Sequence, residues 1–323
     1  MGMKRVSILA VGIVVGLSLF LVCSGPMAAD YPKKPVKIVV SVDVGGGEDI
    51  EARALAPAIQ KHLGVNVTVE PQPGAGGKIC FEKFMKTEPD GYTVLYNTFP
   101  KSVILEVAGK VNFRTREYVP VFGFSRPYNG LSVNVETWKT FDEFLKAAKA
   151  KPLAGGLPGR LTIAHLAGLL AADELGIKVN WVPYEGSAGS LAAVAGKHID
   201  FTIGMIPTTT PLVQAGKIRN IAIFADKRDP FFPDVPTPKE MGYTMPAIPG
   251  IRGMFVPPKT PPAIVKALEE ACSKAIKDPT LIEWAKKRSV TLQPVSSQEF
   301  GKEVAEAYTE VERFQAVLKE SGL

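Results

Sequence analysis

Short apolar runs rich in β-branched residues alternate along this chain with longer segments in which apolar residues recur every three or four positions. The runs indicate buried strands, and the periodic segments indicate helices that pack on them. In the first hundred residues, the runs at 36–42, 65–69 and 92–96 are separated by two such helices. Because parallel strands need a crossover between them, this order predicts a parallel sheet with right-handed connections.

The same alternation continues to the end of the chain, so both halves are predicted to be α/β. A length of 323 residues corresponds to about two domains. Further strands are predicted at 119–124, 131–135, 179–182, 199–203 and 218–224. Helices are predicted at 49–63, around 79–84, and at 140–150, 162–175, 186–195, 262–277, 279–288 and 297–320.

The first thirty residues have the layout of a secretory signal peptide. Lys4 and Arg5 precede an apolar stretch at 6–22, and a Ser-Gly-Pro break is followed by the small pair Ala28-Ala29. We expect cleavage after Ala29 and a soluble mature protein. An anchor helix is the alternative, but the stretch is short for a span of about 20 residues. Lipidation of Cys23 is disfavoured because Val22, not a small residue, precedes it.

Composition excludes several classes of protein. Hydrophobic residues make up 46% and charged residues 22%, which excludes a disordered chain. The net charge of +6 is not gathered into a basic stripe, so we expect no nucleic-acid partner. Three histidines and three cysteines without CxxC or HExxH predict neither a metal site nor a cofactor. Cys80 and Cys272 either pair after export or remain as separate buried thiols.

Glycine-rich loops recur where predicted strands give way to helices, at 45–47, 74–77 and 155–159. Such a loop offers free backbone N–H groups at the positive end of a helix dipole, and its backbone can approach a ligand closely. Any one of them is also consistent with a plain tight turn. In open α/β sheets ligands lie beyond the carboxyl ends of the strands. Three loops at such ends therefore predict a site for a carboxylate or a phosphate.

The loops do not match a nucleotide or hydrolase motif. Ile79 stands where a dinucleotide fingerprint needs its third glycine, and the chain has no P-loop, GxSxG or SxxK. Ser187 and Ser190 near His198 are typical of helix packing, and His165 is predicted to be a capping or core residue. An enzyme acting on a carboxylate is disfavoured because no nucleophile–base pair is found.

Ten short motifs in order resemble the periplasmic solute receptors of tripartite tricarboxylate transporters, also called Bug proteins. The resemblance runs through essentially the whole mature chain. The motifs lie at 31–35 (YPKKP), 45–53, 73–77 (PGAGG), 89–93 (PDGYT), 165–166, 182–186 (VPYEG), 196–200, 215–219, 233–237 (PDVPT) and 257–261 (PPKTP).

The resemblance implies a two-lobed periplasmic binding protein of the Venus-flytrap type, type II-like, with a mainly parallel sheet flanked by helices in each lobe. Lobe 1 would comprise 30–130 and 250–323, and lobe 2 would comprise 131–249. Such a receptor captures a small organic carboxylate between its lobes and delivers it to integral membrane permease subunits, as a monomer without catalysis. The sequence is equally consistent with an alternative function, in which the protein presents its ligand to a membrane sensor kinase instead of a permease.

The resemblance also implies which residues meet the ligand. In lobe 1 they are Val44, Gly45, Gly46, Asp49, Ala75, Gly76, Gly77 and Thr98. In lobe 2 they are Gly159, Thr162, Tyr184, Gly186, Gly204 and Met205. We expect Asp49 to cap its helix and order the loop rather than to touch an anion.

Some positions depart from the family pattern. Asp43 and Glu48 add acid beside a loop that should bind an anion, so they either point to solvent or favour a ligand that carries an amine. Arg160 replaces a small or apolar residue and either pairs with a second carboxylate or lies in solvent. Leu161 replaces a common glycine, which predicts an altered loop geometry.

Overall fold

The computed structural model describes residues 31–109, 111–245 and 247–314 and contains two β-sheets flanked by helices. The predicted signal peptide lies outside these residues. The strands are β1 (Val36–Val40), β2 (Val67–Pro71), β3 (Thr93–Phe99), β4 (Val119–Ser125), β5 (Asn129–Asn134), β6 (Leu153–Leu157), β7 (Val179–Pro183), β8 (Phe201–Met205), β9 (Ile218–Ile223), β10 (Ile251–Val256) and β11 (Leu292–Ser296).

The helices cover the sheets. They are α1 (Gly47–Leu63), α2 (Lys78–Phe84), α3 (Lys101–Ala108), α4 (Phe141–Ala150), α5 (Ile163–Leu175), α6 (Ser187–Ala195), α7 (Ile206–Gln214), α8 (Pro262–Ala275), α9 (Pro279–Lys287) and α10 (Ser297–Arg313). Among the described residues, none of these is both long and apolar enough to cross a membrane.

The two-lobed α/β fold is confirmed, but the sheets are mixed rather than mainly parallel. The first has the order β11-β4-β10-β3-β1-β2, in which β1 runs parallel to β2 and β3. The second has the order β7-β6-β8-β5-β9, in which β6 runs parallel to β7 and β8. Strands β10 and β5 are antiparallel to both of their neighbours. Each enters its sheet from the other half of the chain, not through a βαβ crossover, and this reverses its direction.

The chain passes between the sheets twice, after β4 and again before β10. We call the part built on the first sheet lobe 1 and the part built on the second sheet lobe 2. Near the passages the Gly250 N–H donates to the Pro127 carbonyl at 3.0 Å, and Arg126 forms an ion pair with Glu303. The predicted boundaries at 130 and 250 stay a prediction.

The third glycine segment is not the loop that its composition suggested. Gly155 and Gly156 lie inside β6, and only Pro158 and Gly159 follow the strand. A Cβ atom on Gly155 would lie 2.6 Å from the Phe201 ring, so close packing within the sheet explains this glycine. Only the end of this segment therefore belongs to the cleft between the lobes.

Several elements gave no clear signal in the sequence. Helix α7 contains two prolines, which are unusual inside a helix. The other three elements are α3, β10 and β11. Each of them is short and either follows a proline or lies in a polar stretch. Helix α10 ends at Arg313, and the predicted continuation from 315 onwards lies outside the described residues.

Both cysteines of the described chain are free and buried, so the disulfide alternative is wrong. They belong to different clusters of the core of lobe 1. Burial raises the pKa of the Cys80 thiol to about 12, which keeps it protonated at neutral pH. The two thiols therefore act as small core residues.

Candidate functional site in the cleft between the lobes

Three cavities follow one another between the lobes. The glycine-loop cavity, about 330 Å³, lies between residues 73–77 of lobe 1 and residues 158–162 and 183–185 of lobe 2. The central cavity, about 70 Å³, lies between the start of α1 and the starts of α5 and α6. The lateral cavity, about 340 Å³, lies between α1, α6, α7 and α9. Neighbouring cavities share lining residues, so the three adjoin one another along the cleft.

The start of α1 carries a buried carboxylate into the cleft. Glu48 accepts hydrogen bonds from the Ser41 hydroxyl at 2.9 Å and from the Thr98 N–H at 3.1 Å. Burial alone would raise the pKa of this carboxyl. Lys101, these hydrogen bonds and Arg252 outweigh burial and hold the pKa below its usual value. Glu48 is therefore ionised and internally bonded, so the expectation that it points to solvent is wrong.

Lys101 stands at the junction of the glycine-loop and central cavities and lines both. Its Nζ donates to the Ser41 hydroxyl at 2.9 Å and lies 3.8 Å from Glu48 Oε1. The residue is only 6% exposed. A buried ammonium with one carboxylate partner at the edge of ion-pair range remains available to a ligand anion.

Arg252 of β10 lines both the central and lateral cavities and is 3% exposed. Its Nη1 donates to Glu51 Oε2 at 2.6 Å, and Ser125 donates to the other oxygen of Glu51 at 2.7 Å. Burial would lower the pKa of Arg252, but Glu51 raises it above its usual value, so the pair is ionic. Among the residues that the structure describes, the hydrogen-bond partner of Arg252 Nη2 is the Met205 sulfur, at 3.6 Å.

Asn129, the first residue of β5, lines the central cavity from the side of lobe 2. Its side chain is 1% exposed, and neither polar atom of its carboxamide has a hydrogen-bond partner among the described residues. Buried polar groups in folded proteins are almost always paired. An unpaired donor and acceptor side by side in a cavity therefore indicate a place for a polar ligand group.

The fold brings most of the predicted binding residues together in this cleft. The central cavity is lined by Gly46, Thr98, Thr162, Gly186 and Met205. The glycine-loop cavity is lined by Ala75, Gly76, Gly77, Gly159, Arg160, Thr162 and Tyr184. Gly45 lines the lateral cavity. That these residues bind a ligand stays a prediction.

The other three predicted residues lie elsewhere. Val44 is 74% exposed at the tip of its loop, and Gly204 is buried within β8. The Asp49 carboxylate accepts from the Gly45 N–H at 2.9 Å and pairs with Arg53. Asp49 thus orders the loop, as expected, but the N-cap position of α1 belongs to Gly46.

The second glycine loop has an unusual backbone. Gly74, Gly76 and Gly77 have φ of 124°, 66° and 105°, a region that L side chains rarely adopt. A Cβ atom on Gly76 would lie 3.0 Å from the Arg160 carbonyl oxygen across the cleft. Glycine is therefore needed here for both the turn and the close approach of the lobes.

In the facing loop of lobe 2, Leu161 adopts a left-handed backbone of the kind that glycine favours, so the predicted change of loop geometry stays a prediction. Leu161 adopts φ of 54°, and its N–H donates to His165 Nδ1 at 3.2 Å. Arg160 is exposed and lines the glycine-loop cavity at its rim. Thr162 caps α5 by accepting from the His165 N–H at 3.2 Å. His165 is thus a buried residue that stabilises the loop, as predicted.

Stability is expected to fall as the pH drops through the range in which unfolded histidine titrates. Burial, with a smaller effect of Arg160, lowers the pKa of His165 to about 4 from an ordinary value of 6.5. Between these values the unfolded chain binds more protons, so stability is lost on acidification. Between pH 8 and pH 5, the unaltered protein should lose about 2 kcal/mol more of its free energy of unfolding than a His165→Gln variant loses. Urea unfolding at the two pH values measures both losses. Equal losses in the two proteins would contradict this assignment.

Sequence reasoning missed Lys101, Arg252 and Asn129. Lys101 follows the carboxyl end of β3, and the glycine loops were predicted at the carboxyl ends of strands. The position of Lys101 could therefore have indicated that it belongs to the site. Arg252 and Asn129 lie in strands that enter their sheets from the other half of the chain. Nothing local indicates that these two meet in one cavity.

Comparisons with known proteins agree with this architecture. Residues 51–323 match the family described as "Tripartite tricarboxylate transporter family receptor". The "UPF0065 protein in gbd 5'region" of Cupriavidus necator is 32% identical over 300 residues, which cover 92% of this chain and 90% of the relative.

Solved structures give the same result. A structure titled as that of a periplasmic transporter is 30% identical with a TM-score of 0.84, covering 90% of this chain and 98% of the other. MatC from Rhodopseudomonas palustris, solved with bound malate, is 25% identical with a TM-score of 0.80, covering 89% and 100%. The fold, the family match and these relatives lead to one conclusion: the chain belongs to the receptor family of the tripartite tricarboxylate transporters, whose members are periplasmic solute-binding proteins.

Proposed function

We propose that this protein binds a small organic carboxylate in the cleft between its lobes and that lobe closure retains it. The observation that carries the proposal is the unpaired Asn129 carboxamide in the central cavity, facing a cleft that also contains Lys101 and Arg252. An unsatisfied buried polar group costs about 1–3 kcal/mol. A ligand with oxygen acceptors and a hydroxyl donor would remove that penalty.

The charges of the central cavity favour an anion. Lys101, Arg252 and Glu48 line this cavity. Arg252 is already paired with Glu51 at 2.6 Å. The cation left for a ligand is therefore the Lys101 ammonium, which lies 3.8 Å from Glu48. The glycine loop at 74–77 lies next to Lys101 in the adjoining cavity. A carboxylate bound there would meet the Lys101 ammonium, whose ion pair with Glu48 is long at 3.8 Å. The malate bound to MatC is a ligand of this chemical class.

Thermal unfolding of the purified protein in the presence of malate, citrate, benzoate and glutamate tests the proposal. A ligand at about 100 times its Kd adds roughly 2.7 kcal/mol of stability. Glucose and choline serve as uncharged and cationic controls. Stabilisation by glucose or choline alone would contradict carboxylate binding. If no acid has an effect, mass spectrometry of the denatured protein shows whether an acid was already bound.

Asn129→Ala is expected to weaken binding of the stabilising acid about tenfold, because the substitution removes a donor and an acceptor that meet the ligand. The unliganded protein should lose no stability, because the amide has no partner to lose. Calorimetric titration and urea unfolding measure the two effects. Asn112→Ala, at an exposed position of lobe 1, is the matched control. Equal affinities of the Asn129 variant and the parent protein would argue against this role.

We extend the proposal to export and delivery. The N-terminal layout predicts a mature protein that begins at Asp30, and the family predicts an integral membrane permease as the partner. N-terminal sequencing of the exported protein tests the first point. Loss of uptake of the bound acid on deletion of a neighbouring permease gene tests the second. Unchanged uptake would favour presentation of the ligand to a sensor kinase instead.

A further inference from the structure

Ser41, the first residue after β1, lies between the two charged side chains that meet in the cleft. Its hydroxyl donates to Glu48 Oε2 at 2.9 Å and accepts from Lys101 Nζ at 2.9 Å. A hydroxyl has one donor hydrogen and two acceptor lone pairs, so it serves both partners at once. Ser41 is 3% exposed, which shields these contacts from bulk water. We call this arrangement the Ser41 bridge.

The Ser41 bridge leaves the ammonium and the carboxylate apart. Lys101 Nζ lies 3.8 Å from Glu48 Oε1, about 1 Å beyond the length of a charge-assisted hydrogen bond. The Glu48 oxygens are held by other donors, Oε2 by the hydroxyl and N–H of Ser41 and Oε1 by the Thr98 N–H. The Lys101 ammonium has three N–H donors, and Ser41 takes one of them. The ammonium therefore keeps donors for a ligand.

Packing holds the stem of Lys101 in this position. A Cβ atom on Gly77 would lie 3.1 Å from Ser41 Cβ and 3.2 Å from Lys101 Cε, so the second glycine loop packs directly on both side chains. Lys101 Nζ also lies 6.0 Å from the centre of the Phe81 ring. Within the described chain, the polar partners of the charged end are Ser41 and Glu48. Loss of the Ser41 hydroxyl would thus leave Glu48 as the partner of the ammonium.

We propose that Ser41 is a positioning residue that sets the affinity of the cleft, because it keeps the Lys101 ammonium from closing on Glu48 and so leaves it available to the ligand carboxylate. This inference rests on the proposed function, which places a carboxylate at Lys101. Without the hydroxyl, Glu48 and Lys101 each lose a hydrogen bond, and each is at hand to replace it for the other. The ligand would then have to displace a direct buried ion pair. Even with Ser41 present, Glu48 competes with the ligand for the ammonium and limits how tightly the ligand is held.

Titration calorimetry with malate tests the proposal, and the acid of the thermal unfolding panel that stabilises the protein most replaces malate if malate does not bind. Ser41→Ala should weaken binding about tenfold, because the ammonium becomes paired with Glu48. Glu48→Gln should strengthen binding about three- to tenfold, because the competing charge is removed. The double variant Ser41→Ala with Glu48→Gln should regain the affinity of the unaltered protein to within about threefold, because Lys101 then has no internal anion.

Ser102→Ala is the matched control. Ser102 follows Lys101 directly in α3 and is 1% exposed, and its hydroxyl has no hydrogen-bond partner among the described residues. This substitution removes a buried hydroxyl beside the same lysine without breaking the Ser41 bridge, so affinity should change less than about twofold. Urea unfolding of each unliganded variant shows whether it is folded. If the role of Ser41 were merely structural, Ser41→Ala would lose stability and Glu48→Gln would not rescue its affinity.

The outcomes separate this inference from the proposed function. Equal affinities of Ser41→Ala and the unaltered protein, or a loss that Glu48→Gln does not restore, overturn the role of Ser41 while binding by the unaltered protein still supports the proposed function. If Ser41→Ala does not unfold cooperatively, Glu48→Gln alone decides: tighter binding supports the inference, and unchanged or weaker binding overturns it. If the unaltered protein binds no acid of the panel, the proposed function fails and this inference fails with it.

Discussion

Arg252→Met is expected to lower the free energy of unfolding by about 3–5 kcal/mol, because it leaves the Glu51 carboxylate buried without its cation. Glu51 is 1% exposed, and without Arg252 it would keep the hydrogen bond from the Ser125 hydroxyl but lose its ion pair. The side chain of methionine is similar in length, so the cavity left behind is small. Urea unfolding of the unliganded protein at neutral pH measures the loss.

Two further proteins show whether charge is the cause. The double variant Glu51→Gln with Arg252→Met removes both charges and should recover much of the lost stability. Lys37→Met removes the cation of an ion pair with Glu70 in which both side chains are nearly half exposed, and it should change stability by less than about 1 kcal/mol. A double variant no more stable than Arg252→Met would mean that packing, not the ion pair, sets the effect.

Lys101→Met is expected to weaken binding of the stabilising carboxylate about 30- to 100-fold. Lys101 Nζ lies at the junction of two cavities, and its only described carboxylate partner is 3.8 Å away, so the ligand gains a charge-assisted hydrogen bond from it. Such a bond in a buried site corresponds to about 2–3 kcal/mol. Titration calorimetry with the acid identified by thermal unfolding measures the change.

The substitution also leaves the Glu48 carboxylate without a neighbouring ammonium, and the negative charge of Glu48 would then repel an anionic ligand. Glu48→Gln combined with Lys101→Met separates the two effects. If the ligand bonds to Lys101, the double variant still binds weakly; if repulsion is the cause, affinity returns. Lys83→Met removes the same charge from an exposed position of α2 and should change affinity less than twofold. An unchanged affinity in Lys101→Met would exclude Lys101 from the site.

The β1–α1–β2 unit shows how much local pattern can predict. The sequence of this unit shows a β-branched run, a glycine loop and a helix that ends at Gly64, because each of these depends on residues close in the chain. In the structure Gly64 has a φ of 71°. The same is true of the second glycine loop, where only glycine accepts the observed φ angles. Strand direction was predicted less well, because β5 and β10 pair with partners far away in sequence.

Residues close in sequence thus determined most of the elements, the first two glycine loops and, through ten motifs, the family of this protein. Tertiary structure alone decided the charge pattern of the cleft. Glu48 looked like a solvated loop acid, yet Ser41, which follows β1, Thr98 of β3 and Lys101 of α3 converge on it. Arg252 and Glu51 are separated by 201 residues and meet because β10 lies beside β3 in the sheet. Burial and electrostatic pairing depend on neighbours in space, and no local pattern encodes them.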